Sequence, residues 1–97
     1  MTINILNSSI ISQARDQVSA DLQGSFAILG LKKGAYYGLD ESVGARVWQL
    51  ISEPKSVDQI LTTLLDEYEV DHGRCHSDLI SLLERMYQEG LIDIKSR

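Results

Sequence analysis

The chain is poor in the residues that most often announce a function. Cys75 is its one cysteine, which rules out an internal disulfide and leaves no sign of an oxidising compartment, so a cytoplasmic setting is expected. Cations are scarce too. Lys and Arg number 9 against 14 Asp and Glu, a net charge of −5 that opposes approach to nucleic acid or an anionic membrane surface. The mildly apolar stretch from Met1 to Ile11 has no basic lead and is interrupted by Asn4, Asn7, Ser8 and Ser9, so it reads as neither signal peptide nor membrane span. There is no G-x-S-x-G elbow, Walker loop or dinucleotide fingerprint, and the glycines fall at expected turns and helix ends. These gaps predict a protein that is not an enzyme and needs no cofactor, with no nucleic acid and no membrane among its partners.

What is present is ordinary globular material: 43% apolar and 24% charged residues in 97, enough for one compact domain spanning 1–97, with 1–12 as a candidate flexible lead. From Asp16 to Leu39 the pattern is strand-like. Runs from Gln17 to Leu22, Phe26 to Leu31 and Ala35 to Leu39 are separated by Gln23-Gly24-Ser25 and Lys32-Lys33-Gly34, which predicts an antiparallel three-stranded meander. Asp40 can cap a first helix over roughly Glu41 to Ser52, with Val43, Val47, Leu50 and Ile51 at helical spacing and Trp48 on the flank.

Pro54 disfavours helix at Glu53, and Ser56-Val57-Asp58-Gln59 then matches a capping box opening a second helix. Its stripe is Val57, Ile60, Leu61, Leu64, Leu65 and Tyr68. Asp71 or a neighbour caps a third helix running to about Glu89, Gly90 stops it, and Leu91 to Ile94 read as a short terminal strand. The expected class is α+β, a meander followed by three helices and a strand.

Two features suggest a groove. The third strand carries no charge, whereas the first is flanked by Arg15, Asp16 and Asp21, so one outer edge of the meander is left unguarded. The third helix carries Leu79, Ile80, Leu82, Leu83, Met86 and Tyr87, wider than one core stripe needs. An unguarded edge beside an apolar helix can accept an extended peptide as an added strand. The plainer alternative is that the N-terminal segment or the last strand covers this edge, and that the broad helix is simply buried.

His72, Cys75 and His76 fall within five residues, but a closed zinc site needs four ligands and no second His or Cys cluster exists, so no metal is expected. The order H-x-x-C-H is also reversed from the haem-attachment motif. Cys75 lacks the distant base and orienting group that a catalytic thiol requires, and no catalytic residue is assigned.

A meander with three helices and a strand resembles a winged helix-turn-helix, which makes a DNA-binding regulator the rival reading. Asp78, Glu84 and Glu89 on the candidate recognition helix, against Arg74 and Arg85, argue against it. In order and spacing, Tyr36-Tyr37-Gly38-Leu39-Asp40-Glu41, Val43, Val47-Trp48, Ser56-Val57, Ile60, Leu64, Asp78-Leu79, Leu82-Leu83, Met86 and Gly90-Leu91-Ile92 resemble the PqqD-like family.

The resemblance covers about Asp16 to Ile94. It implies a non-catalytic recognition element for ribosomally made, post-translationally modified peptides, most like the stand-alone proteins of lasso-peptide pathways, with a PqqD-type partner of a radical enzyme as the nearer alternative. It implies leader-peptide binding at Gly34, Ala35, Tyr36, Tyr37, Gly38 and Leu39 on the strand. On the helix the matching wall is Cys75, Asp78, Leu79, Leu82, Arg85 and Met86. It also implies that a separate leader peptidase, a cysteine protease, or another modifying enzyme acts in trans. Placing Leu82 in the groove and Leu83 in the core fixes a helical phase that a small rotation would exchange.

Overall fold

Hairpin chemistry sets the first half of the fold. In the computed structural model, which describes residues 5–23, 25–31, 34–39 and 43–95, strands β2 (Gln17–Asp21), β3 (Phe26–Gly30) and β4 (Ala35–Leu39) form an antiparallel sheet in that order. The Asp21 carboxylate accepts from the Gln23 amide at 2.9 Å, Gln23 takes φ 64°, and the Leu22 amide donates to the Ser25 carbonyl at 2.7 Å. An Asp side chain that mimics a turn bond is what closes such a hairpin. At the other end Gly34 adopts φ 66° and donates to the Gly30 carbonyl at 2.7 Å, a conformation that favours glycine.

Helix α1 (Val43–Leu50) follows; the expected Asp40 cap lies outside the described residues. After Pro54, helix α2 (Val57–Glu67) begins with the predicted capping box: Ser56 Oγ accepts from the Gln59 amide at 3.1 Å while Gln59 Oε1 accepts from the Ser56 amide at 2.9 Å. Helix α3 (His72–Gln88) starts on Asp71, whose carboxylate accepts from the Arg74 amide at 3.1 Å. It ends where Gly90, at φ 76°, donates to Tyr87 and Leu91 donates to Met86, the paired bonds of a Schellman turn.

The lead segment needs a correction. Residues 1–12 are read from sequence as a flexible candidate, yet Ile10–Gln13 forms a strand, β1, at the centre of a second sheet. It pairs with β5 (Lys55–Ser56) on one side and β6 (Ile92–Lys95) on the other. Ile11 is fully buried. The physical reason is that this segment closes the start of α2: the Ser9 and Asn7 carbonyls accept the Val57 and Asp58 amides at 3.0 and 3.1 Å, first-turn donors that would otherwise lack partners.

The three helices join the two sheets through one apolar cluster. It includes Ile11 from β1, Ile28 from β3, Trp48 from α1, Leu64 from α2 and Leu83 from α3. Trp48 belongs to this core, and its carbonyl accepts from Gln13 Nε2 at 3.0 Å. No helix among the described residues is long and apolar enough to cross a membrane.

Candidate functional site

Backbone alternation decides which groups the meander leaves unpaired. The Leu31 amide donates to the Asp16 carbonyl, and the Leu22 amide to Ser25, so even-numbered residues of β2 bond to odd-numbered residues of β3. Because antiparallel ladders alternate, Phe26, Ile28 and Gly30 then bond to Leu39, Tyr37 and Ala35. Tyr36 and Gly38 are left with N–H and C=O turned away from the sheet. Among the described residues β4 pairs only with β3, and the last strand, offered above as a cover for this edge, pairs with β1 in the other sheet.

Beside this edge lies a cleft of about 750 Å³ between the meander and α3. Leu39, Leu64 and Leu79 form its buried floor, and the half-buried Leu82 stands on the α3 wall. Apolar side chains that are substantially exposed ring the mouth: Leu22 at the hairpin, Val43 at the start of α1, and Tyr68 and Val70 in the link before α3. Clustered exposed apolar groups of this kind mark interaction sites more often than scattered ones do. Arg74, Asp78 and Arg85 supply the charge, and Arg85 Nη1 donates to Tyr37 Oη at 3.4 Å, linking α3 to β4.

Of the residues expected from sequence, Tyr37, Gly38, Leu39, Cys75, Asp78, Leu79, Leu82 and Arg85 line the cleft. Gly34 forms the turn, outside the lining, and Ala35 opens the strand. Tyr36 offers its backbone to the edge, while its side chain, 79% exposed, lies on the opposite face. Met86 is a correction: it is fully buried and absent from the cleft. Its position seven residues after Leu79 keeps it on the core stripe with Leu83, whereas Leu82 and Arg85 turn toward the sheet. Leu22, Phe26, Val43, Tyr68, Val70 and Arg74 were missed. They come from separate connections or strand ends that no local period links, although Arg74 one turn before Asp78 was open to detection.

The thiol in the cleft is not activated. Burial pushes the Cys75 thiol above its ordinary value, with the Asp78 charge adding to the effect, so it is neutral at physiological pH. His76 Nε2 lies 3.0 Å from Asn7 Oδ1, and no three His, Cys, Asp or Glu among the described residues converge to hold a metal ion.

The family described as coenzyme PQQ synthesis protein D (PqqD) matches residues 25–92. A solved chain, TbiB1 in complex with the TbiA(beta) leader peptide, is 32% identical, with a TM-score of 0.79 over 84% of this chain and 94% of that one. A second, lasso peptide synthetase B1 complexed with the leader peptide, is 17% identical with a TM-score of 0.67 over 86% and 96% of the two chains, a likeness of fold alone. Among curated proteins none matches.

Proposed function

The chain belongs to the PqqD family, and on that footing we propose that it binds the leader segment of a ribosomally synthesised precursor peptide without modifying it, in a lasso-peptide pathway. The observation that carries this reading is the open β4 edge running along an apolar cleft. The leader adds as a strand, exchanging backbone hydrogen bonds with Tyr36 and Gly38. Its alternate side chains, those level with Tyr37 and Leu39, then point into the cleft between β4 and α3, and the others point to solvent. That TbiB1, at 32% identity, was solved with a leader peptide supports the assignment.

The chemistry lies elsewhere. The bound precursor is delivered to a separate leader peptidase or modifying enzyme in the cytoplasm, and this chain supplies affinity and orientation. The family name favours a second reading, in which the enzyme served is a radical one of the coenzyme PQQ type. The genes beside this one separate the two.

Titrating isotope-labelled protein with the leader of the neighbouring precursor gene tests the binding. Amide shifts should concentrate at 35–39 and along the cleft side of α3. A saturating titration that leaves those amides unmoved overturns the assignment. Salt-dependent affinity for duplex DNA, expected of a winged-helix regulator, should not appear at moderate ionic strength.

A further inference from the structure

The charge of the cleft runs against that of the chain. Arg74, Asp78 and Arg85 are its charged lining, one cation in excess on a protein whose net charge is −5. None of the three has an ion-pair partner among the described residues. Resting on the leader-binding reading above, we propose that Arg85 selects the leader by charge: the leader residue level with Tyr37 is acidic, and its carboxylate is held between the Arg85 guanidinium and the Tyr37 hydroxyl.

The contact that Arg85 makes without a ligand is one that a carboxylate improves. Its Nη1 donates to Tyr37 Oη at 3.4 Å, long for a hydrogen bond, and the acceptor is neutral. A carboxylate is the stronger acceptor, and its two oxygens match the guanidinium fork. Because the phenol oxygen accepts from Arg85, its own O–H remains to donate, and donors from β4 and α3 meet at one place. No carboxylate among the described residues already occupies the cation. Asp78 lies two turns back along α3, about 10 Å at 1.5 Å per residue, near the screening length of physiological salt. Glu84 and Glu89, its neighbours on α3, form no ion pair with it.

Strand geometry fixes which leader residue is read. With backbone bonds exchanged at Tyr36 and Gly38, the residue opposite Tyr37 turns into the cleft, its Cβ about 4.5 to 5.5 Å from that of Tyr37 and within reach of the same guanidinium. The next inward residue, two positions away, is level with Leu39, which belongs to the buried floor with Leu64 and Leu79. That one meets apolar surface. Arg74 stands about 16 Å from Arg85 along the helix, too far to share a carboxylate with it. The cleft therefore reads a carboxylate at one leader position and an apolar side chain two positions from it.

The probe that tests this is a synthetic peptide with the leader sequence of the neighbouring precursor gene, with versions in which each Asp or Glu is changed in turn to its amide. Arg85→Gln should weaken the wild-type peptide about three- to tenfold at low salt, and the loss should shrink as salt rises. One amide version should lose as much against the wild-type protein and nothing more against Arg85→Gln. Arg85→Glu should lose more, and a lysine at that one leader position should recover binding, which a merely structural role for Arg85 cannot produce. Lys95→Gln removes the same charge from an exposed position on β6 in the other sheet and should change nothing. Peptide binding that is indifferent to Arg85→Glu overturns the proposal and leaves the leader-binding reading standing. So does an Arg85→Gln loss that is equal for every peptide version and insensitive to salt, since that makes Arg85 only a tie between α3 and β4. A wild-type protein that binds no version of the peptide overturns both readings together.

Discussion

The sheet β5–β1–β6 and the sheet β2–β3–β4 differ in what their edges do. In the first, the central strand is paired on both sides and its flanking carbonyls at Asn7 and Ser9 close the first turn of α2. In the second, both outer strands face outward unpaired among the described residues, and one of them borders an apolar cleft. Strand edges are a hazard that folded proteins normally suppress. Where one sheet spends its backbone groups on the fold and the other leaves them available, the available ones are where recognition belongs. The difference is open to disruption from either side.

The largest effect is expected from the closed sheet. Ile11→Ala removes a fully buried side chain from β1 and should cost about 2 to 5 kcal/mol of stability, read from urea unfolding. Leader affinity measured well below the unfolding transition should be unchanged. A variant of normal stability with lost binding would put recognition in the wrong sheet.

On α3 the same contrast recurs within adjacent residues. Leu82→Ala should weaken leader binding by about 1 to 3 kcal/mol, roughly five- to 150-fold, with little change in melting temperature. Leu83→Ala, in the core, should lower stability by about 2 to 5 kcal/mol and leave the affinity of the folded protein intact. If both lose stability and neither alters binding, α3 is structural only and the cleft lies elsewhere.

This contrast also explains what was legible in the sequence. The meander was readable because each hairpin is local: Asp21 to Ser25 and Gly30 to Ala35 carry their own turn chemistry. The α2 start was readable for the same reason, since Ser56 and Gln59 satisfy each other. β1 was not, because its partners are distant, Ile10 pairing with Lys95 and Ser56, and four residues ending in Ser12 and Gln13 give no alternation to detect. The cleft was half legible. Its α3 wall follows helical periodicity, and only the phase at Met86 failed. Its rim gathers Leu22, Val43, Tyr68 and Val70 from parts of the chain that only tertiary folding brings together.

Cys75 offers a smaller, reporting effect. It is 9% exposed, lines the cleft, and burial holds its thiol protonated, so alkylation at neutral pH should be much slower than that of a free thiol. Saturating leader should slow it further, while Cys75→Ala should bind leader as the wild type does. Faster alkylation on binding would mean that the peptide opens the cleft instead of filling it.

The smallest effect concerns the link between the two halves of the molecule. Arg46 on α1, the helix that leaves the open sheet, donates from Nε and Nη2 to both carboxylate oxygens of Glu67 on α2, the helix that the closed sheet caps, at 2.8 and 2.6 Å. The fork geometry is the favourable one for an ion pair, but the pair is solvent-exposed and screened by salt. Arg46 holds the Glu67 carboxyl below its ordinary range, chiefly through this hydrogen bond. A carboxyl lowered in the folded state contributes stability that is present above its unfolded value and disappears as pH falls through the folded one. Glu67→Gln should therefore lower the melting temperature slightly at neutral pH and low salt, and the gap between variant and wild type should close on acidification and equally in high salt. A gap that persists in acid would show that Glu67 acts through packing, and that the two halves are joined by the apolar core alone.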